Sequence, residues 1–189
     1  MNNEFIAFVG PMFGGKTTRL LSAVERYRLK QKKVYPFKPY KDTRYDPEGQ
    51  SIVTHRGYEM NSIPIDTADE ILEHLTKRRA TTGVIAVDEA FMIDGIADVL
   101  ISLYMKGYTI LISSLQLSSS MKPFEEILQM IPWATKVEVC PAVCTVCGSD
   151  AYYTYKKTNS KREMEIGGKE LYEPRCLRHF DHDVRALGV

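Results

Sequence analysis

Short apolar runs alternate along the chain with stretches in which apolar residues recur at helical spacing. Phe5-Ile-Ala-Phe-Val9 is a continuous apolar run of strand length, as a strand covered on both faces requires. From Lys16 to about Gln31, Leu20, Leu21, Val24 and Tyr27 share one helical face, with Arg19, Glu25, Arg26 and Arg28 on the others. Val34-Tyr-Pro-Phe-Lys38 reads as a second strand, and its proline predicts a strand end or an edge position. Residues 39–57 are polar and rich in turn formers, a loop long enough to point to function or disorder. A helix start follows at Thr67-Ala-Asp-Glu70, with Thr67 or Asp66 as cap and Ile71, Leu72 and Leu75 as the apolar stripe. Gly83-Val-Ile-Ala-Val-Asp88 is a buried strand ending in a carboxylate. Beyond it come a helix from about Asp94 to Lys106 stopped by Gly107, a strand at Tyr108–Ile112, a helix at Pro123–Met130 with its proline in the first turn, and a last strand at Lys136–Val139. Strands alternating with helices predict an α/β fold with a doubly wound parallel sheet, in which ligands lie at the carboxyl ends of the strands.

From Pro141 onward this rhythm stops, and cysteines, glycines, tyrosines and charges take over. The change divides the 189 residues into an α/β domain over 1–140 and a small second domain over 141–189. Cys144-Thr-Val-Cys147 and Cys176-Leu-Arg-His179 give a C-x₂-C … C-x₂-H pattern, each pair able to bring two ligands to one tetrahedral ion. Three thiolates and an imidazole leave no position for water, so the expectation is structural Zn²⁺. His182 is a rival fourth ligand, and Cys140 is expected as a buried thiol without metal. The residues between the two pairs, 148–175, form a long loop tied at its base. In it, Tyr152-Tyr153-Thr154-Tyr155 alternates as a strand does, and Gly167-Gly168 allows unusual backbone angles.

Charge narrows the partners. With 25 basic and 24 acidic residues the net charge is +1, which favours neither nucleic acid nor an anionic membrane. No apolar run approaches the roughly 20 residues needed to span a bilayer, and no basic region precedes the first strand. A cytoplasmic protein is expected.

The sharpest motif lies directly after the first strand. Gly10-Pro-Met-Phe-Gly-Gly15-Lys16-Thr17 fits G-x-x-x-x-G-K-[ST], a turn whose backbone N–H groups and following helix dipole converge on a polyphosphate. Gly10, Pro11, Met12, Phe13, Gly14, Gly15, Lys16, Thr17 and Thr18 are the expected nucleotide-contacting residues. Lys16 supplies a charge to the β- and γ-phosphates, and Thr17 a hydroxyl to Mg²⁺. Asp88 is the second Mg²⁺ residue. Glu89, one position further, can face the γ-phosphate and take the proton of an attacking hydroxyl. GTP switches also use a phosphate loop and a strand-end acid, but the Asn-Lys-x-Asp base-reading segment is absent.

In chain order, Gly10-Pro-Met-Phe-x-Gly-Lys-Thr17, Lys41-Asp-Thr-Arg-Tyr45, Val87-Asp-Glu-Ala90, Lys122-Pro-Phe124, Ala142-Val-Cys-x-x-Cys147, Ile166-Gly-Gly168 with Tyr172, and Cys176-x-x-His179 resemble the cellular-type (type II) thymidine kinases. The resemblance spans about residues 6–180. It implies ATP and Mg²⁺ at the phosphate loop, Glu89 as general base for the nucleoside 5′-hydroxyl, and Arg44 near the phosphates. The loop between the zinc pairs would be the family's lasso, holding thymine largely through main-chain hydrogen bonds. Met12, Leu115, Phe124, Thr154, Glu165, Ile166, Gly167 and Tyr172 would line the nucleoside pocket. A homotetramer with feedback inhibition is implied as well.

The chain departs from the family pattern on the base side. Asp-Glu-Ala is followed by Phe91-Met92 where the family has Gln-Phe, and Leu115-Gln-Leu-Ser-Ser119 replaces Leu-Asp-Gly and an aromatic. Glu165 stands where an apolar residue is common. The resemblance implies ATP-dependent 5′-phosphorylation of thymidine, deoxyuridine or a 5-modified analogue. The alternative is a nucleotide-binding regulatory protein of the same fold without kinase activity.

Overall fold

The structure is a computed structural model and describes residues 3–43, 50–54, 57–158 and 165–180. In chain order it runs through β1 (Phe5–Val9), α1 (Lys16–Leu29), β2 (Val34–Pro39), a hairpin of β3 (Ser51–Val53) and β4 (Glu59–Asn61), and β5 (Ile63–Ile65). It continues with α2 (Asp69–Lys77), β6 (Val84–Val87), α3 (Ile96–Met105), β7 (Thr109–Ser114), α4 (Glu125–Met130) and β8 (Lys136–Val139). Six strands form one sheet in the order β5-β2-β6-β7-β1-β8, parallel throughout. Every residue of β1 and β6 is buried, which explains their unbroken apolar sequence: both sheet faces are covered. On one face Phe5, Ala7, Phe37, Ile85 and Ile112 pack with residues of α2, α3 and α4. On the other, Ile6, Phe8, Ala86 and Leu111 meet Leu20, Leu21 and Val24 of α1, joined by Ile52 and Met60 of the hairpin.

This order fixes the site. The phosphate loop leaves the carboxyl end of β1, the acidic pair leaves that of β6, and β7 lies between them, so both meet over Ser113 and Ser114. No helix among the described residues is long and apolar enough to cross a membrane.

Several local expectations shift. β2 is an interior strand, flanked by β5 and β6. Its Pro36 is tolerated because odd positions face β6, where Phe37 O accepts from Asp88 N, and even positions face β5, where Tyr40 N donates to Ile65 O. Pairing with β5 starts only at Phe37, so the missing N–H of Pro36 falls on a side no strand has reached. β5 itself, an edge strand of three residues containing Pro64, is too short to betray itself by alternation. Part of the expected loop over 39–57 forms β3. α1 ends two residues early, where Gln31 turns left-handed at φ 57°.

The Pro123 helix is a correction. Pro123 forms an antiparallel bridge with Leu117, and Phe124 is extended, so the helix begins only at Glu125. The helix signal at Thr67 holds only in half: the Glu70 carboxylate accepts from the Asp66 and Thr67 amides at 2.8 and 2.9 Å, but the helix begins at Asp69 after Ala68, and neither Thr67 nor Asp66 caps it with its side chain. An analogous cap was invisible in sequence, because Glu126 of α4 accepts from Gly95 N and Ala97 N at the start of α3, at 2.8 and 2.7 Å.

Beyond Cys140 the chain builds two small antiparallel ladders, β9 (Ala142–Val143) with β10 (Asp150–Ala151), and β11 (Tyr153–Lys156) with β12 (Tyr172–Arg175). Their core is small: Ala142, Cys144 and Ala151, with Phe13 of the phosphate loop and Cys176 packed against it.

Candidate active site

The phosphate loop is shaped by what presses on it. A Cβ at Gly10 or Gly14 would fall 2.4 or 2.3 Å from the Cys140 carbonyl oxygen, so only glycine lets the loop lie against the end of β8. There Cys140 N donates to Val9 O at 2.7 Å. The Cys140 thiol is buried, and burial first, then the Glu138 charge, raises its pKa. Gly15, at φ +74°, ends the loop in the left-handed region and lets α1 start on Lys16. The resulting cavity, about 490 Å³, is lined by Met12, Phe13, Gly15, Lys16, Thr17, Thr18, Asp42, Val53, Thr54 and Glu89. Its charge is concentrated and covered: Lys16, Asp42 and Glu89 are all buried, and the Lys16 ammonium donates to Pro11 O at 2.7 Å.

Beside this cavity the Thr17 hydroxyl donates to Asp88, 3.2 and 3.3 Å from its two oxygens, and the Ser113 hydroxyl donates to the same carboxylate. Burial, then the neighbouring Glu89 charge, pushes the Asp88 carboxyl up to about 7. Glu89 sits at φ 48°, in the left-handed region that a non-glycine residue adopts at a cost of about 1–3 kcal/mol. That bend turns the chain out of β6 into a short 3₁₀ turn, Ala90–Met92, and leaves consecutive carboxylates at the strand end. A hydroxyl beside a carboxylate suits a hard, oxygen-seeking divalent cation, and the pair Thr17 and Asp88 fits Mg²⁺ on that ground.

A second space opens on the other side of Met12. This cleft, about 470 Å³, is lined by Met12, Phe91, Met92, Leu115, Ser118, Ser119, Phe124, Thr154, Glu165, Ile166, Gly167 and Tyr172. Phe91 and Phe124 form one wall, ring centroids 4.5 Å apart and tilted by 45°. Ser118 closes a turn in which its hydroxyl accepts from Ser120 N and Lys122 N, both at 3.3 Å, and Met121 is left-handed. The far side comes from β11, β12 and the segment before β12. Met12 N donates to the Thr154 hydroxyl at 3.0 Å in a buried contact, which fastens the phosphate loop to the cysteine-rich part of the chain.

Cys144, Cys147, Cys176 and His179 bring their ligand atoms within 4.8 Å of one another. The Cys147–Cys176 sulfurs are 3.8 Å apart, and His179 Nδ1 lies 3.3 and 3.9 Å from Cys176 Sγ and Cys144 Sγ. A tetrahedral ion with Zn–S bonds near 2.3 Å and a Zn–N bond near 2.0 Å has edges of about 3.8 and 3.5 Å. The four side chains therefore fit a closed metal site. Desolvation works to raise the Cys144 thiol, yet amides of Cys176, Val146 and Cys147 bring it down to about 6, toward the thiolate a metal needs.

All eight residues expected to line a nucleoside pocket lie on one cleft. Of the expected nucleotide-contacting set, Met12, Phe13, Gly15, Lys16, Thr17 and Thr18 line the phosphate cavity. Gly10 and Gly14 face Cys140, Pro11 supplies its carbonyl to Lys16, and Asp88 lies behind Thr17. Arg44 and His182 lie outside the described residues. Gly167 and Gly168 do not use left-handed angles; a Cβ at Gly167 would stand 2.4 Å from Leu171 Cδ1, the end of a flexible side chain that would have to move aside. Sequence reasoning gave no role to Asp42, Val53 and Thr54. Asp42 sits in the quoted Lys-Asp-Thr-Arg run, but the other two reach the cavity through a hairpin that has no motif.

Comparison with known proteins bears on this geometry. A family model described as thymidine kinase matches residues 4–180. A thymidine kinase of Pyrobaculum aerophilum is 35% identical over 183 residues, covering 93% of this chain and 97% of the relative. One of Pseudothermotoga lettingae is 33% identical over 178 residues, covering 93% and 94%. Among solved structures, the genome packaging NTPase of Sulfolobus turreted icosahedral virus 2 aligns with a TM-score of 0.44 at 12% identity, over 78% of this chain and 77% of that one, too distant a likeness to carry weight.

Proposed function

The chain belongs to the thymidine kinase family, and on that footing we propose that it transfers the γ-phosphoryl group of ATP to the 5′-hydroxyl of thymidine, with the roles below. The observation that carries the reading is a buried carboxylate, Glu89, in a phosphate cavity whose Met12 wall is shared with a largely apolar cleft. The triphosphate lies on the loop amides and Lys16, and the nucleoside fills the cleft with its 5′ end toward Glu89. Glu89 accepts the hydroxyl proton as oxygen attacks the γ-phosphorus and ADP leaves. Thr17 and Asp88 hold Mg²⁺, which when bound neutralises charge on the phosphates. Arg44 adds a further cation there. Enclosure by the cleft keeps water from competing as acceptor.

Zinc is the metal proposed for the Cys₃His set, where it would hold β9–β12 as a unit. Phe91 and Phe124 give the base an aromatic wall, and the changed positions Phe91, Met92 and Ser119 set how far deoxyuridine and 5-substituted analogues are accepted. A nucleotide-responsive regulator without kinase activity would use Lys16, Thr17 and Asp88 to hold its nucleotide but has no need for the further carboxylate of Glu89. The family resemblance supports assembly as a homotetramer.

ADP release measured across thymidine, deoxyuridine, deoxycytidine and 5-substituted deoxyuridines tests the assignment. Turnover should depend on a pyrimidine deoxynucleoside, and ATP consumption indifferent to all of them overturns it. Glu89→Gln should lower kcat by about 10²–10⁴ while ATP still binds; a variant at full speed removes Glu89 from the chemistry.

A further inference from the structure

The base-side cleft carries a buried ion pair that the reaction does not use. Lys156, the last residue of β11, places its ammonium 3.0 Å from the Glu165 carboxylate, with side chains only 9% and 20% exposed. Glu165 is held twice more: Tyr172 donates its hydroxyl proton to Glu165 O at 2.9 Å and accepts from Glu165 N at 3.2 Å. The charge and both main-chain polar groups of Glu165 are thus engaged by protein, although its side chain borders the cleft. The next two residues are the reverse. Ile166 and Gly167 line the cleft, and their main-chain groups make no hydrogen bond among the described residues. Directly after a residue fixed at three points, the chain thus brings to the cleft two residues whose main-chain donors and acceptors are not taken up by the described protein, groups of the kind that pair with the alternating acceptors and donor of a pyrimidine edge.

We propose that Lys156 and Glu165 are a positioning pair that sets the Ile166–Gly167 main chain in register with the base, governing nucleoside affinity and leaving phosphoryl transfer alone. The inference rests on the kinase reading above. Two apolar side chains would hold the segment down as firmly, since replacing a buried ion pair by hydrophobic residues is often neutral or stabilising. What they would not supply is a single geometry, because an ion pair with hydrogen-bonding directionality holds one placement where apolar contacts permit several.

Lys156→Met and the double variant Lys156→Met/Glu165→Leu separate positioning from mere stability, read by nucleoside Kd in calorimetry, by KM and kcat, and by Tm. Lys156→Met should raise nucleoside Kd and KM by about tenfold or more, with kcat and the KM for ATP within about threefold of wild type. The double variant should regain Tm and keep the raised Kd. An unchanged Kd in Lys156→Met, or a Kd that returns with Tm in the double variant, overturns the proposal. Calorimetry keeps the two readings apart: a wild-type protein that binds nucleoside without turning it over fails as a kinase while the pair is still tested, and one that binds no nucleoside defeats both.

Discussion

The phosphate cavity and the base-side cleft meet at Met12 and are built in opposite ways. One unbroken run, residues 10–18, makes most of the cavity, pressed into shape by the Cys140 carbonyl and completed by acids that follow β2 and β6. The cleft is assembled from five separated pieces: Met12, Phe91 with Met92, the Leu115–Phe124 turn, Thr154, and the segment from Glu165 to Tyr172. Local backbone closure gives the first its rigidity. The second depends on whether two parts of the chain stay docked, and a few hydrogen bonds and the gathered Cys₃His side chains hold one of them together.

Removing the metal is the strongest way to break that difference. Below about 70–80 residues a single core rarely supplies enough stability without a metal, disulfides or a partner, and the buried cluster here is small: Ala142, Cys144 and Ala151. Stripping the proposed zinc with a chelator, or Cys176→Ala, should abolish measurable nucleoside binding, an effect above about 100-fold. Binding of a non-hydrolysable ATP analogue should survive within about tenfold, since Phe13 loses its packing but Gly10, Gly14 and Lys16 keep theirs. Loss of both affinities in step would show the two regions to be one cooperative unit.

Electrostatics divides them next. The cleft is mostly apolar, while the cavity buries Asp42, Asp88 and Glu89 within reach of one another's fields. Asp88 binds its proton more tightly folded, at about 7, than at its ordinary 3.8, so the native state holds more protons than the unfolded one between those values. Stability of the protein without Mg²⁺ and nucleotide therefore falls as pH rises from about 4 to 7, and this carboxyl adds no further loss above. Asp88→Asn should raise stability at pH 8 by on the order of 2–4 kcal/mol and leave it nearly unchanged at pH 4, with turnover reduced. Denaturant titrations at the two pH values decide it; equal effects at both would place the strain elsewhere.

The same contrast explains what the sequence could reveal. β1, β6 and β7 were legible because burial on two faces demands unbroken apolar runs, and the phosphate loop because its glycines and lysine follow one another. The Cys₃His set was legible as two spaced pairs. β5, the β3–β4 hairpin and the Glu126 cap were not, since three-residue strands carry no period and Glu126 reaches α3 only through tertiary packing. On the base side, Phe91 and Ser119 stood out as departures from a pattern. That Phe91 stacks on Phe124, and that Lys156 meets Glu165, are facts of distance between separated segments, for which a lone chain offers no signal.

The hydrogen bond from Met12 N to Thr154 is the finest thread between the two regions, and cutting it should have the smallest effect. Thr154→Val keeps shape and volume and removes the hydroxyl, leaving a buried amide without its acceptor at a cost of about 1–2 kcal/mol. Thermal unfolding should shift down by roughly 2–8 °C. Because Met12 borders both spaces, the KM for ATP and that for nucleoside should rise together by about two- to fivefold, and Thr154→Ser, which retains the acceptor, should restore both. A rise in the nucleoside KM alone would mean that the hydroxyl serves the base and that the phosphate loop holds its shape without it.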